Sequence, residues 1–168
     1  MEVISVIIER IIAEHKVILA DFKTLEKVSN DASALKAIEK GKDAFMPGRL
    51  APLEGLNQLE AMRVKLDKGL RDHFHWEEIT LLDAFNEYKA DLLVPTLKTL
   101  MSEHEDIREG LGELKGLVGE LRTEHLSHQL WESKAYDMRA HMINLQKKVE
   151  IHAMTEQRLL DDLLKRTR

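Results

Sequence analysis

The sequence predicts an all-α protein, an up-down-up-down antiparallel four-helix bundle, and three observations support it. Aromatic residues make up 5% of the chain and prolines number 3, while Ala, Leu, Glu, Lys and Ile dominate, so helix is favoured over strand. Apolar residues recur at alternating steps of three and four through four long segments, as helices buried along one stripe require. Two short turns and one longer link join those segments, the spacing expected of antiparallel neighbours. With 168 residues, 43% of them hydrophobic and 33% charged, the chain is expected to form a single domain over residues 1–168.

The first helix follows from Ile4, Ile8, Ile11, His15, Ile18, Phe22 and Leu25, with His15 at a core position. Short polar side chains at Ser29, Asn30 and Asp31 compete with the helical backbone and predict a weakening there, with an end by Gly41. Residues Gly41 to Gly55, with Pro47, Gly48 and Pro52, form the expected irregular link. A second helix is expected from Glu54 to Tyr88, with Leu59, Met62, Leu66, His73, Glu77, Thr80 and Ala84 facing inward. Asp91 to Pro95 is a short turn, and Pro95 suits the first turn of a third helix.

That third helix runs through Leu97, Leu100, His104, Ile107, Leu111, Leu114, Val118 and Leu121. Gly110, Gly112, Gly116 and Gly119 lower its intrinsic stability and point to a close-packed neighbour. After a polar turn at Thr123 to Ser127, the fourth helix places Trp131, Ala135, Met138, Met142, Leu145, Val149, His152, Glu156, Leu159 and Leu163 on one stripe.

The charge and composition exclude several functions. A formal charge of −5, with no basic cluster beyond the terminal Lys165, Arg166 and Arg168, disfavours a nucleic-acid partner. Cysteine is absent, which removes disulfides, thiolate metal sites and thiol catalysis, so any metal must be held by nitrogen and oxygen. No stretch is apolar enough to predict a membrane helix, and the N-terminal run carries Glu2, Glu9, Arg10 and Glu14, unlike a signal peptide. A cytoplasmic location is the expectation.

The chemistry lies in two repeated patterns. His73 and Glu77 are four residues apart, which on a helix means about 40° around the axis and about 6 Å along it, and His152 and Glu156 repeat the spacing. Upstream of each pair stands a Glu-His dipeptide, Glu14-His15 and Glu103-His104. The chain thus reads as two copies of one unit, delivering His15, His73, Glu77, His104, His152 and Glu156 to one level of the bundle. A lone histidine on an apolar stripe is usually a satisfied core residue. Four at matching height, two with a glutamate one turn on, point instead to a metal site for two ions, because unpaired buried carboxylates are costly. Imidazole and carboxylate suit iron, manganese or zinc.

The other polar residues near the site are assigned lesser places. His75 is expected to face outward, and His141 to lie at the surface or core edge about 16 Å along the axis from the site. Glu78 and Glu105 point about 100° from their neighbouring ligands, toward solvent or toward the back of a ligand. Glu14 and Glu103 are expected to be solvated, with the orientation of an imidazole as the less favoured role.

In this order, Glu-His, His-Phe-x-x-Glu-Glu, Glu-His-x-x-Ile-Arg and His-x-x-x-Glu, the motifs closely resemble the hemerythrin-like, or HHE cation-binding, family over nearly the whole chain. The resemblance implies a bundle holding two non-haem irons, with His15, His73, His104 and His152 as terminal ligands and Glu77 and Glu156 bridging. It further implies binding of oxygen, another diatomic molecule or peroxide. Oxygen-carrying members have a further histidine four residues along the third helix, where this chain has Arg108, so sensing, storage or iron handling is expected rather than transport. The alternatives are a di-iron oxidoreductase acting on peroxide or nitric oxide, and a helical interaction module with a structural metal.

Overall fold

In a computed structural model, which describes residues 2–39, 50–88, 90–122 and 126–167, the chain forms four helices. They are α1 (Glu2–Glu39), α2 (Leu50–Glu87), α3 (Val94–Leu121) and α4 (His128–Thr167), and there is no strand among the described residues.

Each helix packs on two others, α1 on α2 and α4, and α3 on α2 and α4, closing a four-helix bundle. The side-chain pairs give the directions. Glu14 meets His73 and Asp21 meets Lys65 between α1 and α2; Glu78 meets His104 between α2 and α3; Glu103 meets His152 and Glu120 meets Lys134 between α3 and α4. In each of the two helix pairs with two such contacts, one number rises as the other falls, so those neighbours are antiparallel. Arg71 beside the Arg108 carbonyl extends the same relation to α2 and α3.

Most of the stripe positions that periodicity predicts are buried, but on α2 Met62 and Thr80 are half-buried while Leu70, Phe74, Leu81 and Phe85, off the expected stripe, are buried. Ile4, Ile8, Ile11, Ile18, Phe22 and Leu25 of α1 are buried, and so is every predicted stripe residue of α3 and α4. Two apolar layers result. One contains Ile4, Ile8, Ile11, Leu81, Phe85, Leu97, Leu100 and Leu160; the other contains Ile18, Phe22, Leu66, Leu70, Phe74, Ile107, Leu111 and Val149. His15, His104 and His152 fall in sequence between those layers, and His73 lies at the edge of the second, between Leu70 and Phe74.

Helix boundaries differ from expectation at two places. The predicted weakening at Ser29 to Asp31 is absent, because α1 continues to Glu39 with Ser29 buried. Packing of Leu25 and Val28 against the core outweighs propensity losses of about half a kcal/mol per residue. α2 begins at Leu50, not Glu54, so the last part of the expected irregular link is helical. Pro52 falls in the first turn, where its missing N–H costs nothing. Gly41, Pro47 and Gly48 of that link lie outside the described residues, as do Thr123 to His125 of the third turn.

Pro95 stands in the first turn of α3 as expected. At the last turn, Ser127 Oγ accepts the Leu130 N–H at 3.2 Å, a side-chain cap for α4. The Trp131 indole donates to the Leu121 carbonyl at 3.1 Å, tying the end of α3 to the start of α4.

Candidate metal centre

His73, Glu77, His104, His152 and Glu156 are all buried, and His15 nearly so, its side chain 11% exposed. A helix buries a polar residue only where the stripe passes through it. The four-residue spacing of His73–Glu77 and His152–Glu156 keeps both members of each pair on that stripe.

The structure brings all six side chains together. Glu77 Oε1 lies 2.5 Å from His73 Nε2 and 3.6 Å from His15 Nε2, while its Oε2 lies 3.4 Å from His104 Nε2. Glu156 Oε2 is 3.3 Å from His15 Nε2 and 3.6 Å from His152 Nε2. The Nε2 atoms of His104 and His152 are 3.0 Å apart. Two sets of donors follow, each compact enough to hold a metal ion: His15, His73, Glu77 and Glu156 form one, and Glu77, His104 and His152 the other. Glu77 belongs to both, with one oxygen toward each imidazole pair.

The donors suit cations in another respect. Both oxygens of Glu77, both of Glu156 and Nε2 of His73 are fully buried and lack a hydrogen-bond partner. They lie close to one another but are not aligned as donors and acceptors. Leaving such groups unsatisfied is costly, and a bound cation removes that cost. Nitrogen and oxygen donors of this kind suit iron, manganese or zinc.

The opposite edge of three of the imidazoles departs from the sequence expectation. His73 Nδ1 is 2.6 Å from Glu14 Oε2, His152 Nδ1 is 2.7 Å from Glu103 Oε2, and His104 Nδ1 is 3.0 Å from Glu78 Oε1. Glu14 and Glu103, expected in solvent, therefore hold imidazoles. A carboxylate at Nδ1 keeps the proton there and leaves Nε2 free to ligate. The Glu-His dipeptide was the available signal, since its glutamate reaches the histidine of the next helix in both units.

Glu78 also accepts from Arg108 Nη1 at 2.8 Å, and Arg108 bonds Glu105 as well. Glu105 thus touches no ligand. Phe74, which follows His73, stacks on His104 with ring centres 3.9 Å apart, and the Arg108 guanidinium lies 5.7 Å from its centre. His75 faces outward as expected. His141 bonds the Gly110 carbonyl at 2.9 Å and takes no part in the cluster.

No family model, no curated protein and no solved structure matches this chain.

The electrostatics of the metal-free cluster are uneven. Burial works to lower the pKa of His15, but the adjacent carboxylates of Glu156 and Glu77 outweigh it and push the value up to about 9. Burial likewise opposes the charged form of His73, and the carboxylates of Glu77 and Glu14 beside it raise it on balance. For His152 burial prevails over the Glu103 bond, and the pKa falls. Burial pushes the Glu156 carboxyl up, whereas for Glu77 the nearby imidazoles of His104, His15 and His73 overcome burial and hold it down. Without metal, Glu77 keeps its negative charge, held by the surrounding imidazoles.

Beside His15, His73 and His152 lies a cavity of about 10 Å³, walled by Leu19, Leu70, Phe74, Val149 and Ala153 among others. It has room for about one water-sized molecule. Among the described residues, no helix is long and apolar enough to cross a membrane.

Proposed function

We propose that the chain is a hemerythrin-like protein whose bundle holds two non-haem irons and binds oxygen or a related small ligand. The observation that carries this is Glu77, whose two oxygens face different imidazole pairs. A carboxylate so placed would serve both ions, and Glu156, whose Oε2 lies near one histidine of each pair, would be a second shared ligand. His15 and His73 would hold one ion and His104 and His152 the other. Two adjacent irons supply reversible electron transfer to a small ligand when bound.

The cavity supports a ligand of diatomic size. Its walls are apolar apart from the imidazoles, and it is too small for an organic substrate. Arg108 stands one turn beyond His104, tied to Glu78 and Glu105, so it adds no ligand there. That favours sensing, storage or iron handling over oxygen transport. It also favours binding over turnover of peroxide or nitric oxide, because the cavity wall offers no proton donor other than the imidazoles.

The test is an optical spectrum of protein loaded anaerobically with ferrous iron. Admitting air is expected to produce the charge-transfer absorption of a carboxylate-bridged di-ferric pair. Loaded protein whose spectrum is the same under nitrogen and air overturns the reading.

A further inference from the structure

The two-unit repeat pairs each residue of the first half with one of the second. His15 corresponds to His104, His73 to His152, and Glu77 to Glu156. The carboxylates behind the imidazoles follow the same rule, since Glu14 holds His73 and Glu103 holds His152. The rule breaks at one pair. His104 is held by Glu78, the residue after Glu77, but the residue after Glu156 is Gln157. Gln157 turns its amide to Asp161 Oδ1 at 3.2 Å, and among the described residues no carboxylate stands at Nδ1 of His15.

Three further differences fall on the same side. His15 is the most exposed of the four imidazoles, at 11% against 2%, 0% and 3% for His73, His104 and His152. Phe74, which stacks on His104, corresponds to Ala153, and Arg108 corresponds to Leu19. Ala153 and Leu19 both border the small cavity next to His15. His104 is therefore clamped by an aromatic ring and a carboxylate. His15 has neither clamp, and it adjoins the cavity together with His73 and His152.

We infer that Gln157 leaves His15 as the exchangeable ligand of the set, an imidazole that releases its ion and rebinds while the other three stay fixed. This rests on the two-ion reading above. It places the opening of the centre at His15, on the cavity, and makes Gln157 the residue that permits it. A carboxylate behind a ligating imidazole commonly changes metal affinity by about 10–100-fold, so the missing one has a measurable consequence.

The experiment uses the full chain loaded with cobalt(II), whose paramagnetism shifts the ring N–H protons of ligating imidazoles out of the ordinary proton NMR range. Three shifted N–H signals are expected to persist in D2O, from His73, His104 and His152, while that of His15 exchanges rapidly. Gln157→Glu is expected to slow the fourth signal to match the others and to tighten binding of the more weakly held ion by about 10-fold. Glu78→Gln is expected to convert the His104 signal to rapid exchange, showing that the effect follows the carboxylate and not the fold. Four equally protected signals in the unaltered chain overturn the inference while leaving the two-ion reading intact. A Gln157→Glu chain with the fourth signal still fast overturns the role given to Gln157. Absence of any shifted signal removes the two-ion reading and this inference together.

Discussion

Glu14 accepts the Nδ1–H of His73 across the α1–α2 interface at 2.6 Å, although in sequence Glu14 adjoins a different ligand, His15. Each unit of the repeat is thereby cross-linked: the dipeptide on its first helix supplies one imidazole directly and orients the imidazole of its second. Glu103 does the same for His152.

Removing either carboxylate is expected to weaken metal binding without unfolding the bundle. Glu14→Gln and Glu103→Gln should each lower affinity by about 10–100-fold, because both glutamates are partly exposed and the amide still fits. Competition titration against a chromophoric chelator measures this. Unchanged affinity in both variants would show that the hydrogen bonds do not prepare the ligands.

Metal should stabilise the fold, since the buried oxygens of Glu77 and Glu156 lack partners without it. At a free-metal concentration of about 100 times Kd the gain is about 2.7 kcal/mol, or a Tm rise of roughly 5–10 °C. Glu156→Gln is expected to abolish that rise. The same substitution also removes the carboxylate that does most to raise His15, so it is expected to lower the metal-free stability too, by no more than about 3 kcal/mol. Thermal melts with and without EDTA check both.

The pH dependence follows from His15, whose folded pKa of about 9 exceeds the ordinary imidazole value of 6.5. A group raised in the folded state stabilises the metal-free protein fully below pH 6.5, and that contribution, about 3 kcal/mol at most, is lost as pH rises to about 9. Metal binding runs the other way. The imidazole must give up its proton to ligate, so affinity is expected to climb with pH toward 9 and then level. Denaturant melts of the EDTA-treated protein and metal titrations over that range should show opposite slopes.

The α3 glycines divide into two groups. A Cβ on Gly110 would meet Leu145 Cδ1 at 2.7 Å, whereas Gly112, Gly116 and Gly119 have nothing within 4 Å. The expectation of a close-packed neighbour thus holds at Gly110 alone. Ala at any of the other three is expected to stabilise by about 0.5–1 kcal/mol, and Gly110→Ala to destabilise by about 1 kcal/mol or more, as read by urea melts.

The fold was legible because burial on a helix repeats with the turn, so apolar stripes and the four-residue spacing of His73–Glu77 and His152–Glu156 survive in one dimension. The six convergent side chains were legible for the same reason, since all lie on those stripes. The carboxylates behind them were not. Glu14 and Glu103 sit about 100° off the stripe, where a solvated residue has the same pattern, and only the packing of the adjacent helix turns them onto an imidazole. Phe74 was equally hidden, because stacking on His104 depends on how α2 and α3 meet. The Ser29 region misled in the opposite direction, since local propensity was outweighed by the core.

The most direct measurement is an anaerobic titration of metal-free protein with ferrous iron, with bound metal counted per chain. Two ions per chain are expected, falling to one or none in Glu77→Ala and in His73→Ala. A wild-type chain that binds less than one ion, or variants that still bind two, would contradict a centre built on these six side chains.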